Sequence, residues 1–348
     1  MKKTNRATLS GSQIVLIALC SFLALVLIAM IFVTAYANHY LNQLNYIPLD
    51  TTLSSEAIES IEQELTETVP SDYTGVIEHP SDITQPSVPE DQMTLIQHPD
   101  LVNFLLVGQD RRPGEGRQRS DSMIVVTVNV RTKEITLTSF MRDMYVEIPG
   151  YKANKMNAAY ARGGFSMLCE TLRTNFGMVI DGCVEVDFDG FSSVVNLVGG
   201  VDIKLTAAEA KHLNDIHPWG LTSGVNHLNG DQALEYSRIR KIGNDYARTE
   251  RQRNVLTAIF QKCKTLSLLE MKSLLDGILP LISTTMTADD IMGYLSDLFP
   301  ILSGASINTL RIPANKMYKS TYIAGAGSCL VPDLEKNCQL LIDTLLPK

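Results

Sequence analysis

Hydrophobic positions along this chain change their spacing from segment to segment. Residues 14–37 carry no charged side chain at all, and about 20 apolar residues suffice to cross a bilayer as a helix. Leu101–Val107 (LVNFLLV) is a continuous apolar run, the pattern of a strand buried on both faces. Asp121–Val130 and Glu134–Phe140 read as a strand pair joined by a short turn at 131–133. A short strand is expected at Tyr145–Ile148, helices at Asn157–Ala161 and Ser166–Phe176, a strand at Cys183–Phe188, a helix at Phe191–Leu197 and a strand at Val201–Leu205. From Asp245, a plausible N-cap, Val255, Leu256, Ile259 and Phe260 follow helical spacing. Further helical stretches lie near Leu266–Leu281 and Ala288–Leu298, then a strand at Ser306–Ile312 and a closing helix at Asp333–Leu345. This alternation predicts an α/β fold, an α-β-α sandwich around one mixed central sheet. There is no internal repeat and no low-complexity tract.

Charge divides the chain further. Lys2, Lys3 and Arg6 precede the apolar run and none follows it closely. That asymmetry predicts a cytoplasmic tail (1–13), a single transmembrane helix (14–37) and everything after it outside the cell. Ala35-Tyr36-Ala37 also resembles a signal-peptide cleavage site, but the run is long for one, which favours an uncleaved anchor. Residues 38–100 hold twelve acidic residues, no Lys or Arg, and six of the fourteen prolines. This composition reads as an extracellular spacer, with one short helix near Ser54–Leu65. With +3 before residue 38, −12 in the spacer and −8 in total, residues 101–348 carry about +1. That remainder is expected to be one folded domain. A near-neutral body outside the cell excludes nucleic acid as a partner.

Positive charge is nevertheless concentrated in the body. Ser237–Arg253 (SRIRKIGNDYARTERQR) holds six basic residues against Asp245 and Glu250. On a helix, Arg248, Arg251, Gln252, Val255 and Ile259 share a stripe, so the first turn carries guanidiniums toward the body beside a helix N-terminus that favours anions. A solvated charged face is the plain alternative. A second cluster lies at strand ends, where open α/β sheets bind ligands. It comprises Asp110 with Arg111 and Arg112, Arg119-Ser120-Asp121, and Ser139 to Asp143. Asp110 and Asp121 are hard oxygen donors of the kind Mg²⁺ takes alongside water and phosphate oxygens, and Arg119 and Arg142 would add phosphate donors. Each could instead form a loop ion pair, such as Arg142 with Asp143 or Arg119 with Asp121. There is no GxxxxGK[ST] loop, which argues against a nucleotide triphosphatase, and no Cys/His group with zinc spacing; His212 and His217 read as loop residues. Five cysteines follow the apolar run, and Cys169 with Cys183 and Cys329 with Cys338 are the nearest pairs.

From Asn103 to Lys262 the chain resembles the LytR–CpsA–Psr proteins of bacterial envelopes. The resemblance is carried, in order, by Asp110, Arg119-Ser120-Asp121, Ser139 with Arg142-Asp143, Lys155-Met156-Asn157-Ala158-Ala159-Tyr160 with Gly163-Gly164, Asp187-Phe188-Asp189-Gly190-Phe191, Gly199-Gly200-Val201-Asp202, Leu228-Asn229-Gly230, Ala233 to Arg240, and Asp245 through Arg248 to Gln252. It implies a hydrophobic channel for a polyprenyl tail between the helices. It also implies an activity: transfer of a glycopolymer from a polyprenyl-pyrophosphate carrier to peptidoglycan through a phosphodiester, with Mg²⁺ as cofactor. By position, Asp110 and Asp121 would hold the metal, and Arg119, Arg142, Arg238, Arg240, Arg248 and Gln252 the pyrophosphate. Arg142, Asp143 and Arg248 would be catalytic, Asp143 either orienting Arg142 or assisting the acceptor hydroxyl. Lys241 and Arg253 are expected to be surface charge. Met141 stands where the family usually has proline, which would leave the Arg142 loop less constrained, and Ala247 stands where glycine is common. A hydrolase of the same lipid and a non-catalytic scaffold that binds it remain the alternatives.

Overall fold

The computed structural model describes residues 44–49, 59, 61–63, 65–71, 73–83, 88–109 and 120–347. The expected membrane span at 14–37 lies outside these; among the described residues no helix is long and apolar enough to cross a membrane. In chain order the elements are β1 (Asn45–Tyr46), β2 (Ile77–Glu78), β3 (Leu101–Gln109), β4 (Ser120–Asn129), β5 (Glu134–Phe140), β6 (Tyr145–Val146), β7 (Asn154–Lys155) and α1 (Met156–Phe176). Next come β8 (Gly182–Val186), α2 (Phe188–Leu197), β9 (Val201–Leu205), α3 (Ala207–Ile216), β10 (Gly224–Leu228), α4 (Gly230–Arg238) and α5 (Asp245–Cys263). The chain closes with α6 (Leu268–Ile278), β11 (Ser283–Thr284), α7 (Ala288–Leu302), β12 (Ser306–Ile312), β13 (Tyr318–Ile323), β14 (Gly327–Pro332) and α8 (Leu334–Leu345).

The central sheet is mixed, in the order β1-β11-β8-β3-β4-β5-β12. Its middle strand β3 pairs antiparallel with β4 and parallel with β8. Strand residues alternate between two apolar layers. Leu105, Val107, Met123 and Val125 pack against Leu168 and Leu172 of α1 and Leu341 of α8 on one face. Ile124, Val126 and Leu137 pack with Leu256 and Phe260 of α5 and Leu298 and Leu302 of α7 on the other. A further apolar cluster joins α2, α3, α4 and the β9–β10 hairpin around Val195, Leu213 and Tyr236. The two helices expected at 157–161 and 166–176 are the two halves of α1, separated by a kink at Gly163 and Gly164, the latter with a φ of 59° and ψ of −142° that suit only glycine.

Within the stretch expected to be spacer, described segments pack on the body. Leu65 and Ile96 enter the main core, and β2 pairs with β13. Glu62 holds Arg162 with two bonds, Nε at 2.6 Å and Nη2 at 2.9 Å. Glu67 holds Lys155 at 2.7 Å. Composition made this stretch look solvated because its carboxylates find their partners on buried basic residues of α1 and β7, far away in sequence.

Candidate active site

The site grows out of strand register. Ile124 of β4 stands opposite Ser139 of β5 in an antiparallel pair, so Asp121, three residues before one, and Arg142, three residues after the other, arrive at the same sheet end. Arg142 Nη1 donates to Asp121 Oδ1 at 2.5 Å. Its other edge faces Asp143, with Nε 3.6 Å from Oδ2. The loop that presents Arg142 is well held. Met141 is buried, and its N–H donates to Ile312 O at 2.8 Å, a bond a proline could not make. The expectation of a loosened loop therefore does not hold.

The third contributor is the α4–α5 connection. Asn244, rather than Asp245, caps α5 by accepting from the Ala247 N–H, which frees Asp245 for the site. Asp245 Oδ1 accepts from Arg248 Nη2 at 2.9 Å and stands 4.0 Å from Arg142 Nη2. Arg240 reaches Asp121 Oδ2 at 3.5 Å, and Arg238 lies over the Phe188 ring, 4.3 Å from its centroid. Gln252 accepts from the Ser122 hydroxyl at 3.1 Å. Asp110 and Arg119 lie outside the described residues.

Asp121, Arg238, Arg240, Arg248 and Gln252 line one cavity of about 610 Å³. Its remaining wall is largely apolar and includes Leu106, Val184, Phe191, Ile259 and Ile282. The cavity therefore crosses the sheet face from the arginines at β4 toward the β11 edge. Two residues the sequence placed elsewhere also line it: Lys241, expected as surface charge, and His212, expected in a loop. His212 sits on α3, a helix the apolar spacing did not reveal. Its start was nonetheless legible as the Thr206–Glu209 capping box.

The electrostatics single out three groups. Arg248 is 3% exposed, and its Nε and Nη1 are buried without a partner. Burial lowers its pKa, opposed by Asp245 and assisted by Arg142. Donors left unmade in the interior are costly. Burial also pulls the Arg142 pKa down, but Asp143, Asp121 and Asp245 outweigh it and hold the guanidinium above its ordinary value. Burial pushes Asp143 above the ordinary aspartate value, against the pull of Arg142 and Lys155.

Two other arginines of the basic stretch do different work. Arg251 turns away from the cavity and pairs with Glu209 at 2.7 Å, while donating to the carbonyls of Ile239 and Ile242. It pins the α4–α5 connection. Arg253, expected at the surface, is 8% exposed and donates to Ser139 Oγ at 2.8 Å. Around the helix axis residue 253 projects about 140° from 248 and about 160° from 251, whereas 248 and 251, about 60° apart, share a side and diverge through the carboxylates they meet, Asp245 and Glu209.

For a metal, the described residues contain no group of three or more His, Cys, Asp or Glu side chains. Three carboxylates line the cavity: Asp187, whose Oδ1 caps α2, Glu235, which stands 3.5 Å from Arg238, and Asp121, the one that meets Arg142 and Arg240 at the strand end. Asp121 as donor fits Mg²⁺, which characteristically takes one or two carboxylates and completes its shell with water and phosphate oxygens.

The LytR_cpsA_psr family model matches residues 68–337, and the chain belongs to this family. It is 37% identical over 194 residues to the Bacillus anthracis polyisoprenyl-teichoic acid–peptidoglycan teichoic acid transferase TagU, covering 55% of this chain and 62% of that relative. The match thus spans less than two thirds of the relative's length. Among solved structures, B. subtilis TagT aligns with a TM-score of 0.58 at 26% identity, over 74% of this chain and 99% of that one. The YwtF (TagT) structure with bound octaprenyl pyrophosphate lipid aligns with a TM-score of 0.56 at 25% identity, over 74% and 98%.

Proposed function

We propose that this protein transfers a glycopolymer, teichoic acid-like or capsular, from a polyprenyl-pyrophosphate carrier to peptidoglycan. The observation that carries this reading is the joining of two chemistries in one cavity. Its mouth holds Arg238, Arg240 and Arg248, the last with buried N–H donors unmade, and its body is apolar. Such a cavity suits an amphiphile with a multiply charged anionic head and a hydrocarbon tail. The transferase named among its relatives and the neighbour holding octaprenyl pyrophosphate point the same way.

In this mechanism Arg142, Arg240, Arg248 and, by its sequence position, Arg119 grip the pyrophosphate oxygens, and Gln252 orients them. Asp121, with Asp110, would hold Mg²⁺, which when bound neutralises charge on the phosphates. The acceptor hydroxyl forms a new O–P bond at the glycan-bearing phosphorus, and the bridging P–O bond breaks to release polyprenyl phosphate. Asp143 accepts the hydroxyl proton. Phosphoryl transfer needs positioning and charge neutralisation more than covalent participation of the protein, which matches a site made of arginines and carboxylates. The same reading places residues 14–37 in the membrane as a single-pass anchor, with the N-terminus cytoplasmic and the domain outside, so that enzyme and lipid share a bilayer.

The test is to incubate the full chain with a polyprenyl-pyrophosphate-linked glycan, Mg²⁺ and peptidoglycan. Glycan covalently attached to peptidoglycan is the expected product. Free phosphorylated glycan alone would make the protein a hydrolase, and bound but unreacted lipid would make it a scaffold.

A further inference from the structure

The cavity accounts for a donor, but a transferase must also hold its acceptor. A second groove, of about 440 Å³, lies on the opposite side of α5, between that helix and β12. Its chemistry differs from the first. Arg311 lies over the Tyr246 ring, 4.0 Å from the centroid. The other neighbour of Tyr246 is Tyr318, with centroids 5.8 Å apart. Arg311 Nη2 donates to Asn315 Oδ1 at 2.6 Å, which fixes its plane. Arg253 lines the same groove from below, 92% buried by its 8% exposure, with its Nε lacking any partner.

We propose that this groove is the acceptor subsite, binding a glycan strand along α5 and β12; the assignment rests on the transferase reading above. Flat aromatic and guanidinium surfaces pack against the C–H faces of sugar rings, and guanidinium and amide N–H groups donate to hydroxyls and N-acetyl carbonyls. Arg253 and Arg311 against Glu250 leave one net positive charge in the groove, which favours a strand carrying carboxyl substituents.

The groove is also in the right place. Asp245 of the arginine site and Tyr246 of the groove are neighbours in the first turn of α5. Arg253 bonds Ser139, three residues before Arg142 on the same strand and loop. A strand lying on Tyr246 would therefore bring a ring hydroxyl toward Asp143 without crossing the lipid cavity.

The experiment uses the full chain in detergent, with peptide-stripped peptidoglycan glycan strands as the probe. Their binding is measured by calorimetry, and transfer kinetics are measured against both substrates. Arg311→Ala and, as a second exposed-side variant, Asn315→Ala are compared with the parent after a melting curve confirms folding. The expected result is a rise of about tenfold or more in the acceptor KM and a matching loss of strand binding, with donor KM unchanged. Release of the glycan to water should rise at the expense of transfer. Unchanged strand binding in both variants overturns the groove while leaving the transferase reading intact. Strand binding that the variants abolish, in a parent that transfers nothing, keeps the groove and overturns the transferase.

Discussion

Arg248 gives Asp245 a single N–H, at 2.9 Å, and keeps its Nε and Nη1 buried and unpaired. Its Nη2 also donates to the Asp121 carbonyl at 3.4 Å, so the guanidinium is held at one nitrogen while the other two lie buried. On the transferase reading proposed above, the pair serves as a clamp for an anion.

The first prediction follows from that clamp. Polyprenyl pyrophosphate should raise the melting temperature of the parent protein, since ligand at about 100 times its Kd adds about 2.7 kcal/mol of stability. Arg248→Lys keeps the charge but cannot reproduce a planar fork. It should lose most of this shift, and transfer should fall by about 10²-fold or more, as when one donor to a developing anion is removed. A full ligand-induced shift in Arg248→Lys would show that the unpaired nitrogens do not meet the lipid.

Asp143 sets a pH dependence. Burial lifts its pKa above the ordinary aspartate value of about 3.9. As the proton acceptor it works only when ionised, so transfer should rise with pH through this raised value and then level off. Asp143→Asn should remove that acid limb along with most of the activity. A pH–rate profile of kcat for both proteins decides it; an unchanged limb in Asp143→Asn would move the base elsewhere.

Arg251 and Glu209 concern stability instead. Both are buried, with side chains 6% and 10% exposed, and breaking one side of such a pair costs about 3–5 kcal/mol. Arg251→Met should lower the denaturation midpoint accordingly and free the carbonyls of Ile239 and Ile242. Burial alone would raise the Glu209 pKa, but its bonds from Thr206 and Arg251 bring it below the ordinary value. A depressed folded value means that the stabilisation is present above the unfolded pKa of about 4.3 and is lost as pH falls through the folded one. Acid melts should therefore separate parent and variant near neutrality and bring them together at low pH.

The segment before residue 68 should matter to folding. Arg162 is 3% exposed and Lys155 7%, and their carboxylates come from Glu62 and Glu67. Removing residues 59–67 would leave two buried charges uncompensated, each a penalty of several kcal/mol. Denaturant titration of the shortened protein should show a large fall in stability.

Periodicity made much of the fold legible. The strands at 101, 134, 201 and 306 and the helices at 245, 288 and 334 begin within a residue or so of their expected places, because a continuous apolar run marks the first and a spacing of apolar positions marks the others. The missed elements were short or polar. The helix at 207–216 announces itself by its capping box more than by its apolar stripe, and β1, β2 and β11 are two residues each, too short for any period. For the site, the grouping of charge was already in the chain: arginines at strand and helix ends with carboxylates between them.

What the sequence could not decide was direction. Arg248, Arg251 and Arg253 are the same residue within six positions, yet one faces the apolar cavity, one closes on Glu209 and one lines the outer groove. Composition made residues 38–100 look like solvated spacer, but Arg162 and Lys155, brought close only by the folded body, pair with Glu62 and Glu67 of that stretch. Local spacing determines which residues share a face. Which face meets which neighbour depends on contacts between residues a hundred positions apart, and those exist only once the sheet has set its register.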